Sequence, residues 1–266
     1  MPAEVAVASL AMYPFAPLRP ATDQLWSVVR QHLGWGPTTL EWVVVTPEVW
    51  HHPHLLLAQT CGWPLVTVLT DDVTVVGAFD YDVPGAVDGT YCSVLVSAQD
   101  TTLDVLRARA DVVAAVNGTD SLSGWISLQH AWGGRPAMIV ETGSHLESVR
   151  AVAAGQADVA SIDAVSWALF AELEPESVSL LHVVGAGPRV PCLPVEDRKV
   201  HDHKEVLVVL VDLGPLVLAQ AVLEVEWVEE RIALPQPVDL GREGPTERRR
   251  RDRLSWLETL VLPPIA

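Results

Sequence analysis

Amide, hydroxyl and carboxyl side chains crowd one short stretch of the chain, "AVNGTDSLSGWISLQHA" (115–131). Asn117, Asp120, Ser121, Ser123 and Gly124 stand there directly ahead of a helix expected at about 123–132. Two more junctions have the same character. In "ETGSH", Thr142, Gly143, Ser144 and His145 open a helix, and in "SIDAVSW", Asp163 ends a strand. The first turn of a helix leaves backbone N–H groups unpaired and carries partial positive charge, so converging helix starts with hydroxyls and glycine suit an oxyanion. The plainer role for Ser and Thr at such places is to cap the helix. Both readings stand for this loop.

Other residue types that could do chemistry are less well placed. Ser123, His145 and Asp163 supply the side chains of a hydrolytic triad, but no Gly-x-Ser-x-Gly elbow surrounds the serine. The histidines of "HHPH" (His51, His52, His54) and "HDH" (His201, His203) do not follow an established metal-ligand spacing and read as exposed loop residues. Cys61 follows no evident base, and the three cysteines (Cys61, Cys92, Cys192) are too scattered for a disulfide framework or zinc site. Neither a metal nor a cofactor is expected. The basic run Arg248–Arg251 with Arg253 is diluted by Glu247, Asp252 and Glu258, and reads as a solvated helix start.

The elements that must position these residues follow from periodicity and punctuation. "VAVASLAMY" (5–13) reads as a first strand, "TDQLWSVVRQHLG" (22–34) as an amphipathic helix capped by Thr22 and ended by Gly34, and "LEWVVV" (40–45) as a second strand. A short helix near 53–58, a strand at "PLVTVLT" (64–70) and the strand pair "VTVVGAFDY" and "YCSVLVSA" complete the first part. From 98 to about 185 strand and helix alternate regularly: helix 101–109, strand 111–117, helix 123–132, strand 136–142, helix 144–156, strand 157–163, helix 164–173. Such alternation implies a parallel sheet whose strand-to-helix junctions share one edge, where open α/β sheets bind ligands. In the tail, 205–234 leans towards helices, 235–247 is a loop and a last helix begins near Arg248.

The chain has 266 residues, 49% of them apolar, enough for one large α/β domain or two lobes. A formal net charge of −17 argues against a nucleic-acid partner, yet leaves a locally positive pocket possible. No apolar run is long enough to span a membrane and no secretory signal is recognisable, so the chain as written is expected to be cytoplasmic, or periplasmic if a signal has been removed.

"VNGTDSLSGW", "TGSHLESVRAVAAGQADVASIDAVSWAL" and "LLLAQTCGWPLV" resemble the phosphate/phosphonate-binding component of ABC importers, in its variant without a signal peptide. The resemblance covers about residues 8–195. It implies an α/β, two-lobed type 2 periplasmic-binding-protein fold with a ligand cleft between the lobes, lobe 1 formed by 1–97 plus 187–266 and lobe 2 by 98–186. It implies a solute-binding function, a small anionic ligand such as phosphate or phosphonate, and an ABC permease as partner, with a cytoplasmic lyase-like enzyme or sensor on the same fold as the alternative. In that family the loop reads Asn-Asp-Pro-x-Ser-x-Ser-Gly-Tyr. The positions that match here are Ser121, Ser123 and Gly124, with Trp125 where the aromatic stands and Leu122 where Thr is common. His145 matches the family's histidine that reaches the anion, and Asp163 a cleft carboxylate that can meet an amine or hydroxyl. From the other lobe, Tyr13 matches the aromatic after strand one, with Pro14 in place of an Asp. By the same resemblance Gln59, Thr60, Gly62 and Trp63 of the "QTCGWP" turn are expected to face the cleft. Trp63 and Trp125 are expected to wall it, and Trp26, Trp167 and Trp256 to lie in the core.

Overall fold

The computed structural model describes residues 6–42, 47–79 and 81–198. The strands β1 (Val7–Ser9) and β2 (Leu55–Gln59) run parallel at one edge of a first sheet. Every residue of β2 is buried. The short helix suggested near 53–58 is thus a strand: one covered on both faces reads as an unbroken apolar run without alternation, which periodicity does not separate from a helix. Helix α1 (Arg19–Leu33) connects the first strand onward and buries Leu25, Trp26 and Val29. It begins earlier than expected: Pro20 presets the first turn, and Thr22 lies inside it, its hydroxyl donating to the Leu18 carbonyl at 3.1 Å. Gly34 ends the helix in the left-handed conformation (φ 74°), its N–H on the Arg30 carbonyl.

Of the strand expected at 40–45, residues 40–42 are not strand, although the Glu41 N–H donates to the Ala8 carbonyl of β1; residues 43–46 lie outside the described residues. A short helix, α2 (Pro47–Trp50), precedes β2, and α3 (Gly62–Thr67) follows it. The strand that the sequence suggests at 64–70 is therefore helical through Thr67. Tertiary context overrides intrinsic strand preference there, with Pro64 and Leu65 buried. The expected pairing of the next two strands is also overturned. β3 (Val73–Ala78) stays in the first sheet beside β10 (Pro194–Arg198), whereas β5 (Thr90–Ser97) enters a second sheet.

Among the described residues the first sheet has the order β1-β2-β10-β3. The second sheet begins with the hairpin of β4 (Ala86–Val87) and β5. After α4 (Leu103–Arg107), capped by Thr102, come β6 (Val113–Val116), a π-helical turn (Leu122–Ile126) leading into α5 (Ser127–Trp132), and β7 (Met138–Glu141). Then follow α6 (His145–Ala153), β8 (Val159–Ile162), α7 (Ala164–Leu173), α8 (Pro175–Val178) and β9 (His182–Pro191). β6 lies between β7 and β8, parallel to both, so the junctions after these three strands share the carboxyl edge as the sequence implied. β9 pairs antiparallel with β5 along most of its length. By sheet membership, 86–97 and 182–191 therefore go with the second sheet, where the sequence reading drew its boundaries at 97 and 187.

One apolar cluster runs across both sheets. Leu10, Leu18, Trp26 and Leu57 come from the first lobe, Val116, Leu122, Val165 and Leu169 from the second. Smaller clusters lie under α6 and α7, and beneath α2 and α3. The tail, with His201, His203, Trp256 and the arginine run, lies outside the described residues.

Candidate functional site at the seam between the lobes

The three carboxyl-edge junctions deliver side chains to one place. Ser123 sits in the π-helical turn, where the Ser121 carbonyl accepts from both Trp125 N and Ile126 N at 3.1 Å. Such a bulge rotates the following residues relative to an α-helix and is frequent at functional sites. Ser123 Oγ lies 2.9 Å from His145 Nε2. His145 is the first residue of α6, whose N-cap Ser144 accepts from Glu147 N. The same Nε2 is 3.4 Å from Asp163 Oδ2. Asp163 is the N-cap of α7, with Oδ1 accepting from Ser166 N at 2.8 Å.

The first lobe reaches into this group at two points. The Tyr13 hydroxyl donates to Asp163 Oδ1 at 3.2 Å, and the Leu122 N–H donates to Cys61 Sγ at 3.4 Å. A cavity of about 10 Å³, room for one water, lies beside this seam between Leu10, Tyr13, Gln59, Tyr81, Val165 and Leu169.

Burial decides the protonation states. It pushes the Tyr13 phenol well above its ordinary range, and the Asp163 charge adds to the effect, so Tyr13 is a neutral donor. Cys61 is likewise raised by burial and stays a thiol, with the Leu122 N–H only partly opposing this. His145 is lowered by burial, which outweighs the Asp163 charge and the Ser161 carbonyl. At neutral pH its ring is uncharged, in keeping with the positive end of α6 beneath it.

Ser123, His145 and Asp163 thus meet, but not as a relay. A Ser–His–Asp relay sets the serine and the carboxylate on opposite ring nitrogens. Here both approach Nε2, and Nδ1 is buried without a hydrogen-bond partner among the described residues. The arrangement offers a hydroxyl, an imidazole N–H and a carboxylate in one half-dry recess, a set suited to binding a polyoxygen solute.

Other expected site residues take different places. The Ser121 hydroxyl accepts from Gly124 N at 3.0 Å, the capping role, and keeps its own proton for donation. Gly124 lies under Asn117: a Cβ there would run into Asn117 Oδ1. Trp125 is buried with the Arg135 guanidinium over its ring, 5.1 Å from the centroid. Gln59 donates to the Tyr81 hydroxyl at 3.1 Å, and Tyr81 meets the Tyr13 ring edge-on. The Thr60 hydroxyl faces the Cys61 carbonyl at 3.4 Å, Gly62 is buried at the start of α3, and Trp63 is half-buried against the main core. Trp26 is in the core as expected, and Trp167 is half-buried against the second cluster. His51 pairs with Asp72 at 2.9 Å, and among the described residues no metal-holding group of His, Cys, Asp or Glu forms. Sequence reasoning missed Tyr81 and Ser161. Ser161 precedes Asp163 by two positions on an extended segment, a spacing that places both on one face.

A search with protein-family models finds no match, and no curated protein matches significantly. Solved structures do. A binding-protein component of an ABC phosphonate transporter from Pseudomonas aeruginosa (PA3383) is 15% identical with a TM-score of 0.62, covering 97% of each chain. PhnD1 from Prochlorococcus marinus, in complex with methylphosphonate, is 13% identical with a TM-score of 0.65, over 96% of this chain and 98% of its own. XAC2383 from Xanthomonas citri, bound to chloride ion, is 14% identical with a TM-score of 0.62, over 96% and 98%. The chain has the two-lobed type 2 periplasmic-binding-protein fold. In this fold the seam occupied by Tyr13, Cys61, Ser123, His145 and Asp163 is the cleft between the lobes.

Two outcomes follow from the geometry of this cleft. Gly124→Ala forces its methyl against Asn117 and should cost about 1–3 kcal/mol in urea unfolding. Asn117→Ala in the same chain should restore most of that loss; full additivity of the two substitutions would show that the clash is not the cause. The second concerns pH. Because burial holds folded His145 below 6.5, the unfolded chain takes up the proton first as pH falls. The stability contribution is present above 6.5 and is lost below it, towards the folded pKa, at up to about 1.4 kcal/mol per pH unit. His145→Gln should remove this slope between about pH 7.5 and about pH 5.5. Equal losses in wild type and variant would contradict a buried neutral His145.

Proposed function

We propose that the chain is a solute-binding protein of the phosphate/phosphonate importer type, closing its lobes on a small oxyanion and delivering it to an ABC permease. The observation that carries this reading is the meeting of Ser123, His145 and Asp163 from the second lobe with Tyr13 from the first. Parting the lobes separates Tyr13 from Asp163 and Cys61 from the Leu122 N–H. The exposed set is then a hydroxyl, an imidazole N–H and a backbone N–H beside a helix N-terminus, donors that suit phosphonate oxygens. Asp163 accepts from a P–OH or an amine of the same solute. That PhnD1 was solved with methylphosphonate supports the choice of ligand class. The placing of Ser123 and Asp163 on one ring nitrogen favours binding over nucleophilic hydrolysis.

Isothermal titration with phosphate, phosphite, methylphosphonate and aminoethylphosphonate tests the reading. At least one should bind with one-to-one stoichiometry. Ser123→Ala and His145→Gln should each weaken it by about ten-fold or more, the usual loss for one hydrogen bond to a charged ligand. Folded protein that binds none of the four would overturn the ligand class.

A further inference from the structure

Ser161, on β8, is 1% exposed, and its hydroxyl donates to the Ser123 carbonyl at 2.6 Å. This bond ties the π-helical turn to the strand that ends in Asp163. The two residues share a face of the extended chain, so one strand fixes Ser123 through its backbone and presents the carboxylate to His145. The Ser161 carbonyl also acts on the His145 ring, favouring its protonated form. Leu95 opposes Ser161 on β5, with β9 on the far side of β5, so the anchor sits well inside the sheet. A turn with π geometry has no regular helical register to hold its side chains in place, and an external tie of this kind sets where its hydroxyl points.

We propose that Ser161 is a positioning residue for the cleft: its hydroxyl holds the turn 122–126 at the depth that brings Ser123 Oγ within hydrogen-bond reach of His145. Neither capping nor the strand's own ladder requires this bond. It rests on the proposed function only for its last step, that a solute meets Ser123 and His145 as a pair; the positioning itself is tested without any ligand.

The test is the titration of the His145 ring followed by NMR in the ligand-free protein, with His145→Gln to assign the signal. Asp163 is the charged group facing this ring, and it stays in every variant. Ser123→Ala removes the hydroxyl from Nε2 and should move the His145 midpoint by roughly half a pH unit. Ser161→Ala should move it in the same direction by a similar amount, and the double variant should move it no further. Ser161→Thr, which keeps the hydroxyl, should titrate as wild type does, and it serves also if Ser161→Ala does not fold. An unchanged midpoint in Ser161→Ala, a shift that adds to that of Ser123→Ala, or a shifted midpoint in Ser161→Thr would overturn the proposal. With methylphosphonate as probe, Ser161→Ala should lose affinity alongside Ser123→Ala. Absence of binding in wild type, with the midpoints moving as expected, would count against the ligand class and leave the positioning role standing.

Discussion

The Asp163 carboxylate is 4% exposed at the boundary of two lobes, and the rest of the cleft is arranged around that cost. A buried charge is tolerated only when its lone pairs find donors. Ser166 N–H supplies one from the start of α7, the Tyr13 hydroxyl supplies one from the opposite lobe, and His145 Nε2 stands at the other oxygen. Satisfying one carboxylate therefore couples β8, α6 and α7 of the second lobe to the segment after β1 of the first. Burial keeps both partners uncharged: for Tyr13 the carboxylate's charge adds to it, while for His145 it outweighs the attraction of that charge.

Much of the second lobe was legible in the sequence because its signals agree with one another. Strand and helix alternate, Thr102, Ser144 and Asp163 cap the helices that follow them, and α7 lies where the apolar run places it. The first lobe misled where one kind of signal stood alone. "LLLAQ" has no alternation because β2 is buried on both faces, and the β-branched "PLVTVLT" is helical through residue 67 because packing on the core outweighs intrinsic preference. β9 was hidden by Gly185, Gly187 and Pro188. Among the described residues it pairs with β5 alone, and an edge strand tolerates proline.

The candidate site divides in the same way. Ser123, His145 and Asp163 could be picked out because each lies at a strand-to-helix junction, and Tyr13 through the family resemblance. The approach of Ser123 and Asp163 to one imidazole nitrogen, and of Tyr13 to the same carboxylate, depends on through-space distances that no spacing encodes. Ser121, by the same local logic, accepts as an N-cap and keeps its proton, while Ser123 two positions on meets His145 from the π-helical turn. Cys61 gave no sign of its role, because its partner is a backbone N–H that lies in the other lobe. Fold and site also carry different information. The periplasmic-binding-protein fold serves different solutes, as PhnD1 with methylphosphonate and XAC2383 with chloride illustrate, so ligand choice must be argued from side chains rather than fold.

In the proposed function, Ser123 and His145 together receive the oxygens of a small solute in this cleft. A crystal structure of the protein grown with methylphosphonate tests it most directly. The claim predicts phosphonate oxygens within about 3 Å of both Ser123 Oγ and His145 Nε2, with Tyr13 closing from the other lobe. A phosphonate bound elsewhere, or a cleft in which Ser123 and His145 keep only each other while the ligand is in saturating excess, would contradict it.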